Sequence, residues 1–481
     1  GRRRIALQLP ARQSQARGAE SVSQHGDAVC DAGLGAATGP RGLQRPVTFE
    51  RRVYSRAVPS PRSSRLVAGF AWCALAVLLA CSGSGRSPQG PTSSQGDAAF
   101  AELADRVYRD DLAFSPSRAV ALGYHEHDSE VDARSPAAIA AGIERLERER
   151  AELEAVKPDG LSSLQRLERE VLLFHIAGDL FQLRELRAYE RNPIMWAGQL
   201  GLSPYMLRDY APLPDRARAV VSTCRLAAST LAQARQSLPV RMPRTWIDIA
   251  LLETRGEIEF DDGDVRKAFA ALASPLRDEV SAAIDGCVAA LDEQATWLEA
   301  RKVDATDEFA LGEATFLKML AETQGVTIDL AALDRLAQAD LERNSRALAE
   351  AARVVDPTRS VREVVQAVAD DKPAANELLA VATAQAATLR RFLIDHRIVS
   401  IPSDGVAEVR ESPPYARWNA ASLNSPGPFE QAAQPSYYYI SPPDPSWSPE
   451  VQRAYLPSTR ELQFITVHEV WPGHFLHQLH V

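Results

Sequence analysis

Residues 135–155 read SPAAIAAGIERLERERAELEA. Ile139, Ile143, Leu146 and Leu153 repeat at the three-, four- and seven-residue intervals that put side chains on one face of an α-helix. Ser135 stands where an N-cap is needed and Pro136 takes the first helical position, where its missing N–H costs nothing. A coiled-coil seam is the competing reading of residues 144–156, ERLERERAELEAV, but the pattern does not hold for several heptads.

Working outward, Leu161, Leu164, Leu167, Val171, Phe174 and Phe181 form a second stripe of the same kind. Further helices are expected near 214–238, 265–302, 329–355 and 373–397, with Pro214, Pro357 and Pro373 near their edges. The body from about Ala98 to Ile398 therefore reads as a large helical array, mainly α, with no repeat period and no glycine-rich phosphate loop. A chain of 481 residues that is 45% hydrophobic and 24% charged has ample material for such a core and is neither disordered nor collagenous.

After Ser400 the texture changes. Val406–Arg410 and Tyr437–Ile440 are short extended candidates, and Pro442, Pro443 and Pro445 exclude helix or central strand after the second. Tyr437 and Tyr439 alternate on that second candidate, so an edge strand there would pair with an extended peptide, with a half-buried structural strand as the blander account. Ser458-Thr459-Arg460-Glu461 is a capping-box pattern that opens a helix through LQFITVHEV.

That helix delivers His468-Glu469-Val470-Trp471-Pro472-Gly473-His474. In the common H-E-x-x-H spacing the two imidazoles lie ~40° apart on the helix and share one zinc. Six residues would instead leave them ~120° apart and ~9 Å along the axis, so a regular helix cannot chelate through this pair. Pro472 removes the hydrogen bond to the His468 carbonyl, and Gly473 can adopt backbone angles closed to other residues, so the chain is expected to bend and return His474 toward His468. In the metal reading His468 and His474 are zinc ligands and Glu469 is the general base for water attacking a carbonyl. The alternative is a histidine-rich helix end whose imidazoles offset the helix dipole. A catalytic zinc takes a third protein ligand, and no candidate is in view.

The amino-terminal part carries address signals. Residues 66–81, LVAGFAWCALAVLLAC, follow Arg62 and Arg65 and precede SGSGRSPQGPTSSQG. The run is too short for a comfortable membrane span and has the layout of a secretory signal. Leu78-Leu79-Ala80-Cys81 resembles the lipobox of bacterial lipoproteins, which makes Cys81 the expected lipidation site and residues 82–97 a flexible leash. A plain signal peptide or a membrane anchor with a chance cysteine is the alternative. Ser82 after the cysteine favours the outer membrane, by the same resemblance, with the body facing the periplasm. Residues 1–64 read as a leader unrelated to the fold. Up to Arg65 there are 12 Arg against four acids, so the rest carries 42 basic and 59 acidic residues, a net −17 that argues against nucleic acid as partner. Cys224 and Cys287 remain, as a disulfide or as two buried thiols.

VHEVWPGHFL, with YYYISPPDPSWSPEVQRAYLPSTRELQ and RESPPYARWNAASLNSPGPFE before it, resembles the bacterial domain of unknown function 885 family, whose core signature is H-E-x-x-P-G-H. SPSRAVALGYHEHDSEVDARSP fits its opening region, so the resemblance runs from about Ala98 to the end. It implies a helical architecture like that of deep-cleft metallopeptidases, with a small β element before the motif helix. It also implies a zinc peptidase with metal ligands His468 and His474 and base Glu469. The third ligand is expected in a later Glu-Gly-Trp-Ala-like segment beyond Val481, so the chain as it stands is expected to be inactive. Where the family usually has Gln, this chain has His477. The alternatives are a noncatalytic peptide-binding or scaffolding lipoprotein and a metal hydrolase of another amide or ester.

Among other polar groups, His125-Glu126-His127-Asp128 reads as a solvated loop and His175 as a core histidine. His396 reads as a dipole partner at a helix end. Arg417 and Glu411 are substrate or framework contacts.

Overall fold

A computed structural model of the protein describes residues 95–480. The expected leader, signal run and Cys81 lie outside the described residues. The first helix, α1 (Gln95–Phe114), takes in the last three residues of the expected leash. The fold is mainly α, and among the described residues no helix is long and apolar enough to cross a membrane.

Helix α2 (Pro136–Ala155) forms as its sequence dictates: the Ser135 hydroxyl accepts the Ala138 amide at 3.2 Å, and Leu146 and Leu153 are buried against Phe100 of α1. Helix α3 (Ser163–Leu180) corrects one expectation. Of the expected helical stripe Leu161 and Phe181 are buried, but Leu164, Leu167, Val171 and Phe174 are exposed, and Ile176 and Leu180 are buried instead with Leu172 and Leu173 packed beside them. The helix carries two apolar stripes, and the face that α1 and α2 cover is the one burial selects.

The main core lies between α4 (Leu213–Ser237) and α6 (Leu276–Arg301), where Val220, Cys224, Leu231, Ile284, Cys287 and Leu291 interlock. Cys224 and Cys287 are buried free thiols within it. Between these two in sequence runs α5 (Arg244–Phe260), which also packs on α6 and continues into a π-turn, Asp261–Val265. The helix expected over 265–302 is broken: Arg266–Phe269 is helical, a turn follows, and Pro275 caps the start of α6. Proline lacks the amide that an uninterrupted helix requires at that point. Helix α7 (Leu330–Val355) matches its expected span closely, whereas α8 (Leu378–His396) ends as expected but begins later than 373, after a 3-10 turn at Ala375–Glu377.

The small sheet has order β1-β3-β2, with β1 (Ala407–Glu411) parallel and β2 (Ala421–Asn424) antiparallel to β3 (Ser436–Ile440). The tyrosine strand is thus the central one with both of its edges already paired, so the structural-strand reading holds, buried rather than half-buried, and the reading in which it offers an edge to a peptide does not. Tyr437 and Tyr439 are buried, and the Arg410 guanidinium lies 4.0 Å from the Tyr437 ring centre. Side chains alternate across a strand, and Tyr438 faces the other way. Its side packs on α8, on the motif helix α9 (Thr459–Glu469) and on α10 (His474–Leu479), through Leu378, Ile440, Leu462, Trp471 and Phe475.

A candidate metal centre at the end of the motif helix

The Ser458 hydroxyl accepts the Glu461 amide at 3.1 Å and starts α9. Leu462 is fully buried and Phe464 is exposed, so the helix is half-buried along its length. Thr466 is also buried, its Oγ1 on the Leu462 carbonyl at 2.8 Å and 3.2 Å from the Tyr438 hydroxyl. One turn later Glu469 is buried while its neighbour His468 remains exposed.

The helix stops at Glu469. The amides of Val470 and Trp471 both bond back to the Thr466 carbonyl, the Trp471–Pro472 peptide is cis, and α10 begins at His474. Trp471 anchors the turn, buried and perpendicular to the Phe475 ring at 5.2 Å. The His468 carbonyl, which Pro472 cannot serve, is instead covered by Gly473. A Cβ placed on Gly473 would sit 1.6 Å from that carbonyl oxygen and 2.2 Å from its carbon, so only glycine fits. This contact returns the chain, and the His468 and His474 rings stand edge to face with centres 4.7 Å apart. The bend expected from the Pro-Gly pair is present.

Burial pushes the Glu469 carboxyl above its ordinary value, and the two imidazoles and the Leu423 backbone N–H pull it partly back. Leu423 belongs to β2, whose outer edge is not paired within the sheet. Two exposed imidazoles, a buried carboxyl and a strand edge therefore converge on one place. His477 is exposed, and His480 reaches the Ser400 carbonyl at 3.0 Å.

The other polar candidates separate from this site. His125 is built into a network: its Nδ1 lies 2.9 Å from Asp128, its Nε2 3.2 Å from Glu430, and its ring stacks on Tyr210 at 3.4 Å. The solvated-loop reading missed this because Glu430 is remote in sequence. His175 is not a core residue. It is partly exposed and lies 3.4 Å from Asp179 and 3.8 Å from Asp111. These three are the one group of three such ligand residues close enough for a metal among the described residues, yet Arg118 already holds Asp111 at 2.7 Å and faces His175 at 3.3 Å. That guanidinium supplies the positive charge an ion would bring. His396 ends α8 with Nδ1 on the Phe392 carbonyl, and Arg417 pairs with Glu411 at 3.0 Å.

No curated protein matches the chain. Solved structures that share the fold include two candidate lipoproteins. One is a candidate lipoprotein of unknown function from Shewanella oneidensis, 20% identical, TM-score 0.59, covering 78% of this chain and 71% of that one. The other is a candidate lipoprotein from Colwellia psychrerythraea, 13% identical, TM-score 0.60, covering 80% and 72%. The model of the family described as bacterial protein of unknown function (DUF885) matches residues 116–481, and the chain belongs to that family.

Proposed function

We propose that the protein is a lipid-anchored zinc hydrolase of the cell envelope that cleaves peptide bonds, with Glu469 as general base. The observation that carries this reading is the Gly473 contact, which turns a spacing unsuited to chelation into two facing imidazoles beside a buried carboxyl. Imidazole nitrogens suit zinc, and His468 and His474 would hold it. Bound there, zinc supplies a Lewis acid that polarises a carbonyl and acidifies water. A catalytic site takes three protein ligands, so the reading requires one more than this pair.

Glu469 takes a proton from the attacking water and returns it to the leaving nitrogen, so that the C–N bond breaks to give an acid and an amine. The Leu423 amide orients its carboxylate. With β3 paired on both sides, β2 is the strand beside the motif whose outer edge, apart from the Leu423 amide held by Glu469, is not paired within the sheet and would align an extended substrate. Lipid attachment at Cys81 fits the lipobox and accords with the candidate lipoproteins that share the fold.

The test is zinc content and cleavage of a peptide panel by the full-length protein beside Glu469→Gln. We expect near-stoichiometric zinc in both and cleavage lost in the variant. Unchanged cleavage would sink the mechanism, and turnover of esters but not peptides would reassign the substrate.

A further inference from the structure

Away from the motif, on the side of the sheet that carries Tyr437 and Tyr439, a cavity of about 210 Å³ is lined by Glu253, Glu257, Phe260, Tyr415, Trp418 and Ser203, among others. Its construction depends on Gly256, since a Cβ there would meet the Pro414 carbonyl oxygen at 2.4 Å. That close approach lets Tyr415 reach over α5 and meet the Phe260 ring edge to face at 4.9 Å.

Glu257 is only 5% exposed, and although the Gly198 amide reaches its carboxylate, Oε1 has no hydrogen-bond partner among the described residues. Glu253, one turn earlier, is a second carboxyl in the same wall, and no lysine or arginine lines the cavity. An unpartnered buried carboxylate is costly, so such a wall either keeps protons or takes a cation. Burial pushes both glutamates up to about 7, so the ionised form is within reach at neutral pH. The remaining wall decides which cation. A hard divalent ion asks for roughly six or more oxygens, whereas a wall that includes Phe260, Tyr415 and Trp418 suits an organic cation, which aromatic rings attract.

We propose that this cavity binds an organic cation, an alkylammonium or guanidinium group that donates to Glu257 Oε1 and rests against Tyr415 and Trp418. Two sources share that chemistry, a free amine and a lysine or arginine side chain of a peptide. The inference draws on none of the motif residues and stands apart from peptide hydrolysis.

The test is calorimetric titration of the full-length protein with n-butylammonium and ethylguanidinium, with n-butanol as the uncharged control, and with blocked Ala-Lys-Ala against blocked Ala-Ala-Ala. We expect saturable binding of the cations and none of the alcohol. Glu257→Gln should weaken binding about 10-fold or more, the scale of one charge-assisted hydrogen bond. Glu253→Gln should weaken it less, and circular dichroism should show both variants folded. Binding of the lysine peptide supports a side-chain source, and binding of the small amines alone supports a free one. No saturable binding up to about 10 mM overturns the proposal. So does equal binding of n-butanol, or displacement of the amine by calcium, magnesium or zinc.

Discussion

Replacing Gly473 by alanine tests the contact on which the motif geometry depends. The added methyl would lie about 1.8 Å inside ordinary van der Waals distance of the His468 carbonyl oxygen, with the His468 carbon and the Val467 oxygen at 2.2 and 2.5 Å. All three are backbone atoms, so no side-chain rotation relieves the clash. Overpacking a tight interior typically costs ~1–3 kcal/mol, and a backbone collision on this scale belongs at the upper end. Relief requires α10 to move away from α9, separating rings whose centres are now 4.7 Å apart. A misplacement of ~1 Å in a reacting constellation can cost about 100-fold in rate. Gly286→Ala is the control, because nothing lies within 4 Å of its Cβ position and alanine is the better helix former by up to ~1 kcal/mol. Urea unfolding of both variants measures the stability cost of the clash, and competition with a chelating dye measures zinc affinity. Gly473→Ala should unfold at clearly lower urea and bind zinc more weakly, while Gly286→Ala should match or exceed the wild type. An unchanged midpoint and unchanged zinc affinity for Gly473→Ala would refute the reasoning.

The remaining predictions concern buried and tethering groups. Burial lowers the tendency of His125 to protonate, but Asp128 and Glu430 outweigh it and raise its value above 6.5. The stability it adds is therefore fully present below about pH 6.5 and lost as pH rises through the raised value. The advantage of wild type over His125→Gln in urea should shrink by roughly 0.5–1 kcal/mol between pH 6 and 8, and a gap that widens would show the sign to be wrong. Asp261 is fully buried with neither oxygen hydrogen-bonded among the described residues, and burial first, then Glu257, push it up to about 10. Its cost grows as pH rises from the ordinary carboxyl value toward 10, so Asp261→Leu should gain on wild type by about 1 kcal/mol or more between pH 5 and 8, and a pH-independent difference would count against it. Cys81→Ser should move the protein from the membrane fraction to the soluble one in cell fractionation, and unchanged membrane retention would exclude lipid attachment at that residue.

Local chemistry made much of this protein legible in its sequence. The Ser135 and Ser458 caps, the Ile139–Leu153 stripe, the two extended segments and the Pro-Gly bend are each set by residues within a few positions of one another, and the structure contains all of them. The helix expected over 265–302 missed because Pro275 was outweighed by the periodicity around it. Other features were decided by partners distant in the chain. Helix α3 has two apolar stripes, and only its packing on α1 and α2 says that Leu164, Leu167 and Val171 face solvent. A strand's own residues do not say whether it is central, so β3 lost its edge to β1 and β2, the latter unforeseen. The same holds for His125 on Glu430 and for Tyr415 closing a cavity over Glu257, each joining segments more than 150 residues apart. Short-range sterics and hydrogen bonds wrote the motif and its bend into the sequence. Only long-range packing determined which carboxyls are buried, which strand lies at the sheet's edge, and which distant carboxylates meet a histidine, Glu430 beside His125 and Asp111 beside His175.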